Sequence, residues 1–354
     1  MAEKGLEQKQ YYGLHYLRAI MIIAIVVWHS KLLGDLSLSN ISYYQKHPVT
    51  LSIIICFQFF LLAVPTFFLM SLFLFSKNVK SKKYYLFSRL EKLGYSYLFW
   101  SGLFVLAVYR CGLSTIYVLL TSNINNLISF IAGEGIGVFY FYFSLMIFTI
   151  LSFFCTKLSR SILWILSVSS VFLFWVIPVF VITHNPPVIM NPYDASIIVY
   201  WNPLNFFPYA FIASLAAKYF KDDHWDAGTV SFKAVVSFIL LIFIGASVCE
   251  WLWIIERSSL VNSGYIPPYM RISVAAGATF LFLISFYIKR KPGRVISFLS
   301  DYSLGIFCLH TFVMGFYLEF VGVPANIPLF LIYAMVLSSL LAYLARRAFS
   351  KGII

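Results

Sequence analysis

The feature that most constrains this chain is a recurring apolar run of about 20 residues, the length at which an α-helix rising 1.5 Å per residue crosses a hydrocarbon layer. Such runs fall at 14–34, 51–75, 94–111, 136–156, 161–182, 203–219, 234–254, 272–288, 298–320 and 327–345. Apolar residues make up 61% of the sequence and charged residues 11%, with a mean hydropathy of +0.87. A soluble fold would have to hide far more apolar surface than one core holds. The expected fold is an all-α, polytopic transmembrane helix bundle of about ten spans, a single membrane domain over residues 1–354.

Lys and Arg outnumber Asp and Glu by 26 to 13. In a membrane protein that excess belongs to cytoplasmic loops rather than to nucleic acid, and its distribution sets the orientation. With the N-terminus inside, twenty of the 26 cations fall in cytoplasmic segments or at their edges. Lys31, Lys46, Arg110, Arg257 and Arg271 fall outside, and Arg18 lies within the first span. Both termini are therefore expected in the cytoplasm. Counting the semi-apolar stretch 113–132 as a further span would invert every later loop, so it is read as interfacial or re-entrant. The polar start and the lack of a small-residue cleavage site after Leu33 argue for a retained first span. Five cysteines without ligand spacing predict neither a disulfide framework nor a metal site.

Arg18 and His29 are costly inside a bilayer. Eleven residues at about 100° each bring both to one helical face, about 16 Å apart along the axis. Two readings are open: the ends of one buried channel, or a snorkelling cation and a histidine bonded between helices. The ninth run carries Ser303 to His310 after Asp301, and His310 lies at a depth comparable to that of His29. Between the second and third runs, the basic hairpin at 76–92 places Arg89 and Lys92 on one face, for phosphates or for anionic lipid. Glu134, between Gly133 and Gly135, and Glu250, beside Trp251 and Trp253, are expected near the outer surface. The outer loop at 183–203 holds Trp201 among tyrosines and amides, which suits a sugar or an ordered headgroup loop.

Taken together these residues resemble the membrane acyltransferase-3 family. Leu17-Arg18-Ala19-Ile20 followed by His29 is similar to the family's basic residue, ten intervening positions and histidine. Val64 to Ser71 resembles its second-span motif, with Leu72 in place of the glycine. Arg89-x-x-Lys92 is similar to its Arg-x-x-Arg, Phe139 to Tyr142 to its aromatic motif, and Ser303 to His310 to its ninth-span pattern. The similarity runs along nearly the whole chain.

That resemblance implies an O-acyltransferase whose donor is acetyl-CoA or another acyl-CoA, used without metal. Arg18, Arg89 and Lys92 would meet the CoA phosphates. His29 would act as base or acyl carrier, with His310 orienting it or sharing its proton. Glu134, Tyr140 and Trp201 would contact the acceptor, a surface glycan or lipid-linked saccharide outside the cell's inner or plasma membrane. Membrane lipid is a further expected partner, and nucleic acid is not one. No appended outer hydrolase-like domain is expected. The alternative is a polysaccharide exporter or flippase subunit, although no internal repeat or pair of matching broken helices is evident.

Overall fold

The computed structural model describes residues 11–30, 51–79, 83–108, 131–133, 137–184, 199–221, 229–256 and 268–348. The described chain is a bundle of helices: α1 (Tyr12–His29), α2 (Leu51–Asn78), α3 (Lys83–Val108), α4 (Tyr140–Cys155), α5 (Arg160–His184) and α6 (Phe207–Lys221). It continues through α7 (Val230–Glu256), α8 (Ile272–Ser285), α9 (Arg294–Asp301), α10 (Ser303–Phe320) and α11 (Ile327–Ala348). Among the described residues, seven helices are long and apolar enough to cross a membrane: α1, α2, α4 with its leading turn, α5, α7, α10 and α11. The other three expected spans are helices of different character. α3 carries Arg89, Glu91 and Lys92 in its first half, while α6 and α8 have 15 and 14 residues. Most of the expected interfacial stretch at 113–132 lies outside the described residues.

α2 is the inner helix. It packs on α1, α4, α6 and α8, and 72% of its apolar window is buried, against 11% for α7 on the rim. Pro65 determines its local form. With no N–H to donate, a proline deep in a continuous helix strands a carbonyl, and here a 3₁₀ turn at Phe60–Leu62 restarts the helix just before it. Thr66 then donates its hydroxyl to the Leu62 carbonyl at 2.6 Å.

Lipid offers no hydrophobic drive for helices to associate, so close packing must hold them. Gly13 is one such approach: a Cβ there would lie 1.7 Å from the Ser285 carbonyl oxygen, so only glycine lets α1 cross the end of α8. Beneath it, Phe73, Phe220, Phe282 and Phe286 meet edge to face or stacked, with centroids 4.2–5.8 Å apart.

The ends of the chain's helices sort by charge. Tyr16 donates to the Lys291 carbonyl at 3.3 Å and Arg346 to that of Asp301 at 3.2 Å. The start of α1, the α8–α9 connection and the end of α11 therefore meet at one end of the bundle. Lys77 reaches Tyr11 there as well. This is the cation-rich end that the charge distribution assigns to the cytoplasm. The expected span at 298–320 is in fact two elements. The chain turns at Tyr302, φ −104° and ψ 5°, because α9 is amphipathic and lies against α1 rather than crossing with α10.

Candidate active site

α1, α2, α3, α4, α9 and α10 line a cavity of about 350 Å³ at the cation-rich end. Arg18 and Arg89 line it with Ser71, Tyr85, Ser300, Asp301 and Ser303. Arg89 donates to the Ser71 hydroxyl at 2.5 Å, while its buried Nε has no partner among the described residues. Arg18 and Arg89 are near enough to repel each other, and Asp301, exposed at the mouth, attracts Arg18. Two guanidiniums against one carboxylate leave a net positive cavity, and an incompletely satisfied arginine fork is built for a multivalent anion.

Away from the arginines the walls become apolar: Ile25 from α1, Phe141, Tyr142 and Leu145 from α4, and Phe307 from α10. Tyr142 is hydrogen-bonded to the buried Cys308 at 3.0 Å, which ties α4 to α10 beside this throat. One helical turn past Phe307 lies His310, fully buried, with the two rings 5.9 Å apart.

His29, exposed at the end of α1, sets its ring 5.0 Å from that of His310. The hydrogen bonding of His310 fixes its tautomer. Its Nδ1 lies 3.2 Å from the Ile306 carbonyl, which can only accept, so the neutral ring carries its proton on Nδ1 and its lone pair on Nε2. That Nε2 is buried and has no partner among the described residues.

The structure thus brings Arg18 and Arg89 together at one end of a cavity, and His29 and His310 together just beyond the other. Lys92, one turn on from Arg89, is exposed and does not line the cavity. Tyr140 is buried, its hydroxyl 3.3 Å from that of Tyr269 and its ring stacked on Phe206. Trp201 packs near Gly133, where a Cβ would come within 3.1 Å of it. Glu134 lies outside the described residues.

A second polar cluster escaped the sequence reading. Arg271, only 4% exposed, donates to the Phe57 carbonyl and, at 3.4 Å, to Gln58 Oε1, which also accepts from Trp251 Nε1 at 3.0 Å. Glu250 is engaged at the start of α8, accepting from the Ser273 amide at 3.0 Å and from the Ser273 hydroxyl. It therefore caps α8, where a carboxylate meets the positive end of the helix dipole. Gln58 was detectable in principle: it is the only amide in the apolar run from Leu51 to Leu74.

A model of the acyltransferase domain of the acyltransferase-3 family matches residues 11–347. The chain belongs to the acyltransferase-3 family. It is an integral membrane acyltransferase, and the match covers all but the last residue of the helices described above. Comparisons with curated proteins and with solved structures give no match.

Proposed function

We propose that this acyltransferase moves an acyl group, acetyl in the first instance, from cytoplasmic acyl-CoA to a hydroxyl of an extracytoplasmic glycan or lipid-linked sugar. The observation that carries the proposal is the cavity itself, cationic at Arg18 and Arg89 and apolar toward Phe307, ending one helical turn short of the His29–His310 pair. A CoA phosphate on the guanidiniums lets the narrow thioester arm lie along the apolar throat, with its reactive carbon toward the histidines.

The tautomer of His310 then assigns the roles. Its unprotonated Nε2, which has no partner among the described residues, is free to accept the N–H of His29 once the acceptor is seated, and that would leave the lone pair of His29 on the nitrogen facing the acceptor. His29 takes the proton of the acceptor hydroxyl as the oxygen attacks the thioester carbonyl. The carbon–sulfur bond breaks, and the CoA thiolate leaves with the proton that His29 had taken. His310 acts by positioning, in the way a buried partner orients a catalytic histidine in other acyl-transfer sites.

The test is acyl transfer in membranes given labelled acetyl-CoA and cell-surface glycan acceptor, followed by mass spectrometry of the glycan. A mass increase equal to one acyl group, lost in His29→Ala, is expected. Undiminished transfer by His29→Ala overturns the catalytic assignment. Unacylated glycan that still reaches the surface in that variant disfavours export as the primary role.

A further inference from the structure

On the far side of α8 from α1, α5 and α7 flank an open groove. It holds two contiguous cavities of about 340 and 360 Å³ that share Ile272. Along α5 the groove runs from Trp164 to Val179, about 22 Å at helical rise. Its walls behave as apolar throughout this length. The hydroxyls of Ser167 and Thr279 face it, but each is already donated to a carbonyl of its own helix, at 2.7 and 2.8 Å.

Polarity enters only at the outer end, where Arg271 and Glu250 line the second cavity. The two charges there are not equivalent. Glu250 is committed to the Ser273 amide and hydroxyl at the N-terminus of α8. Arg271 donates only to neutral acceptors, the Phe57 carbonyl and Gln58 Oε1, Glu250 acts on it only through space, and its buried Nε has no partner among the described residues. Among the described residues no carboxylate reaches ion-pair distance of it. The carboxylate is taken up by α8, so the donor left over at this end belongs to the arginine, and an anionic oxygen is what would complete it.

We infer that the groove between α5 and α7 binds a single-chain lipid monophosphate from the outer leaflet, its phosphate on Arg271 and its chain along Phe172, Trp175 and Phe238. Length and hydrogen bonding select this occupant: about 22 Å of apolar groove with one incompletely satisfied arginine at its end fits one long chain bearing one anionic head. The site also connects to the histidines. Arg271 holds the Phe57 carbonyl, the Phe57 ring packs on Trp28 at 5.3 Å, and Trp28 adjoins His29. A saccharide carried on that phosphate would be delivered to the outer face beside His29. This last step rests on the acyl-transfer reading, whereas binding of the lipid phosphate does not.

The experiment uses the full chain in nanodiscs of zwitterionic lipid and a long-chain polyprenyl monophosphate with a photoreactive group in its chain. Crosslinks are expected on peptides of α5 and α7. Excess unlabelled polyprenyl monophosphate should compete, whereas the matching polyprenol and inorganic phosphate should not. Arg271→Gln should lower labelling at least about tenfold, as loss of a charge-assisted contact does. Ala246→Trp, which fills the outer cavity from α7 and leaves the arginine in the sequence, should lower it as much and covers the case in which Arg271→Gln misfolds. Equal competition by the polyprenol or by inorganic phosphate overturns the inference, as does unchanged labelling in Ala246→Trp. His29→Ala should label like the parent chain. Labelling without acyl transfer would then count against the enzymatic reading alone, and transfer without labelling against the lipid site alone.

Discussion

The bundle takes arginine inside at both ends, Arg18 and Arg89 half-buried and Arg271 fully, and the two ends treat it differently. At the cation-rich end, Arg89 has the Ser71 hydroxyl and an open cavity, with Arg18 repelling it from α1. At the outer end, Arg271 is fixed by a backbone carbonyl and an amide oxygen and lies over the Trp251 ring, its carbon Cζ 5.7 Å from the ring centre. The first arrangement spends folding energy to keep donors free, which is useful only if a ligand collects them. The second binds α2, α7 and α8 into one unit and leaves one edge toward the groove. An arginine is thus an open ligand site in the one place and, in the other, a structural joint with a single donor left over for the groove.

The sharpest way to break this contrast is thermal unfolding of two variants. Arg271→Ala removes the side-chain donor to the Phe57 carbonyl, leaves Gln58 Oε1 to the Trp251 indole and the Ser273 hydroxyl, and should cost about 3 kcal/mol. Arg18→Ala should leave the melting temperature unchanged or raise it, since it removes a repulsion from Arg89. Equal losses would erase the distinction.

Next in size, Arg89→Ala should raise the KM for acyl-CoA by about 10- to 100-fold, the worth of one or two hydrogen bonds to a charged group. Its kcat at saturation should stay near that of the parent chain. A fall in kcat with KM unchanged would place Arg89 at the chemistry rather than at the donor phosphates.

Glu250→Gln keeps the shape of the α8 cap and removes its charge, and should destabilise by about 1 kcal/mol in the same melting assay. No loss would mean that the helix dipole is met by other groups. The smallest effect belongs to Lys92→Ala. Exposed and outside the cavity, Lys92 should change KM for acyl-CoA less than about twofold at physiological salt. A change as large as that of Arg89→Ala would restore the two as a pair.

Legibility in the sequence followed the range of the interactions. Apolar runs report helices directly, and the spans expected at 161–182 and 234–254 match α5 and α7 closely because lipid-facing helices answer to hydropathy alone. The alignment of Arg18 with His29 was likewise readable, since both lie on one helix. What remained hidden depends on contacts between distant segments. The turn at Tyr302 comes from α9 lying against α1, and the run of apolar residues gave no reason to divide it. Lys92 shares a face with Arg89 in projection, yet only Arg89 meets α2. Arg271 looked like one more loop cation until folding placed it against Phe57 and Gln58.

The central claim is that the donor is gripped at the arginine end and transferred at the histidine end, and steady-state kinetics of His29→Ala beside Arg89→Ala tests it most directly. Raising acyl-CoA should restore the rate of Arg89→Ala. His29→Ala should remain at least about 100-fold below the parent chain at every donor concentration, the range expected for loss of a general base. A His29→Ala enzyme whose kcat stays within a few-fold of the parent would contradict the account.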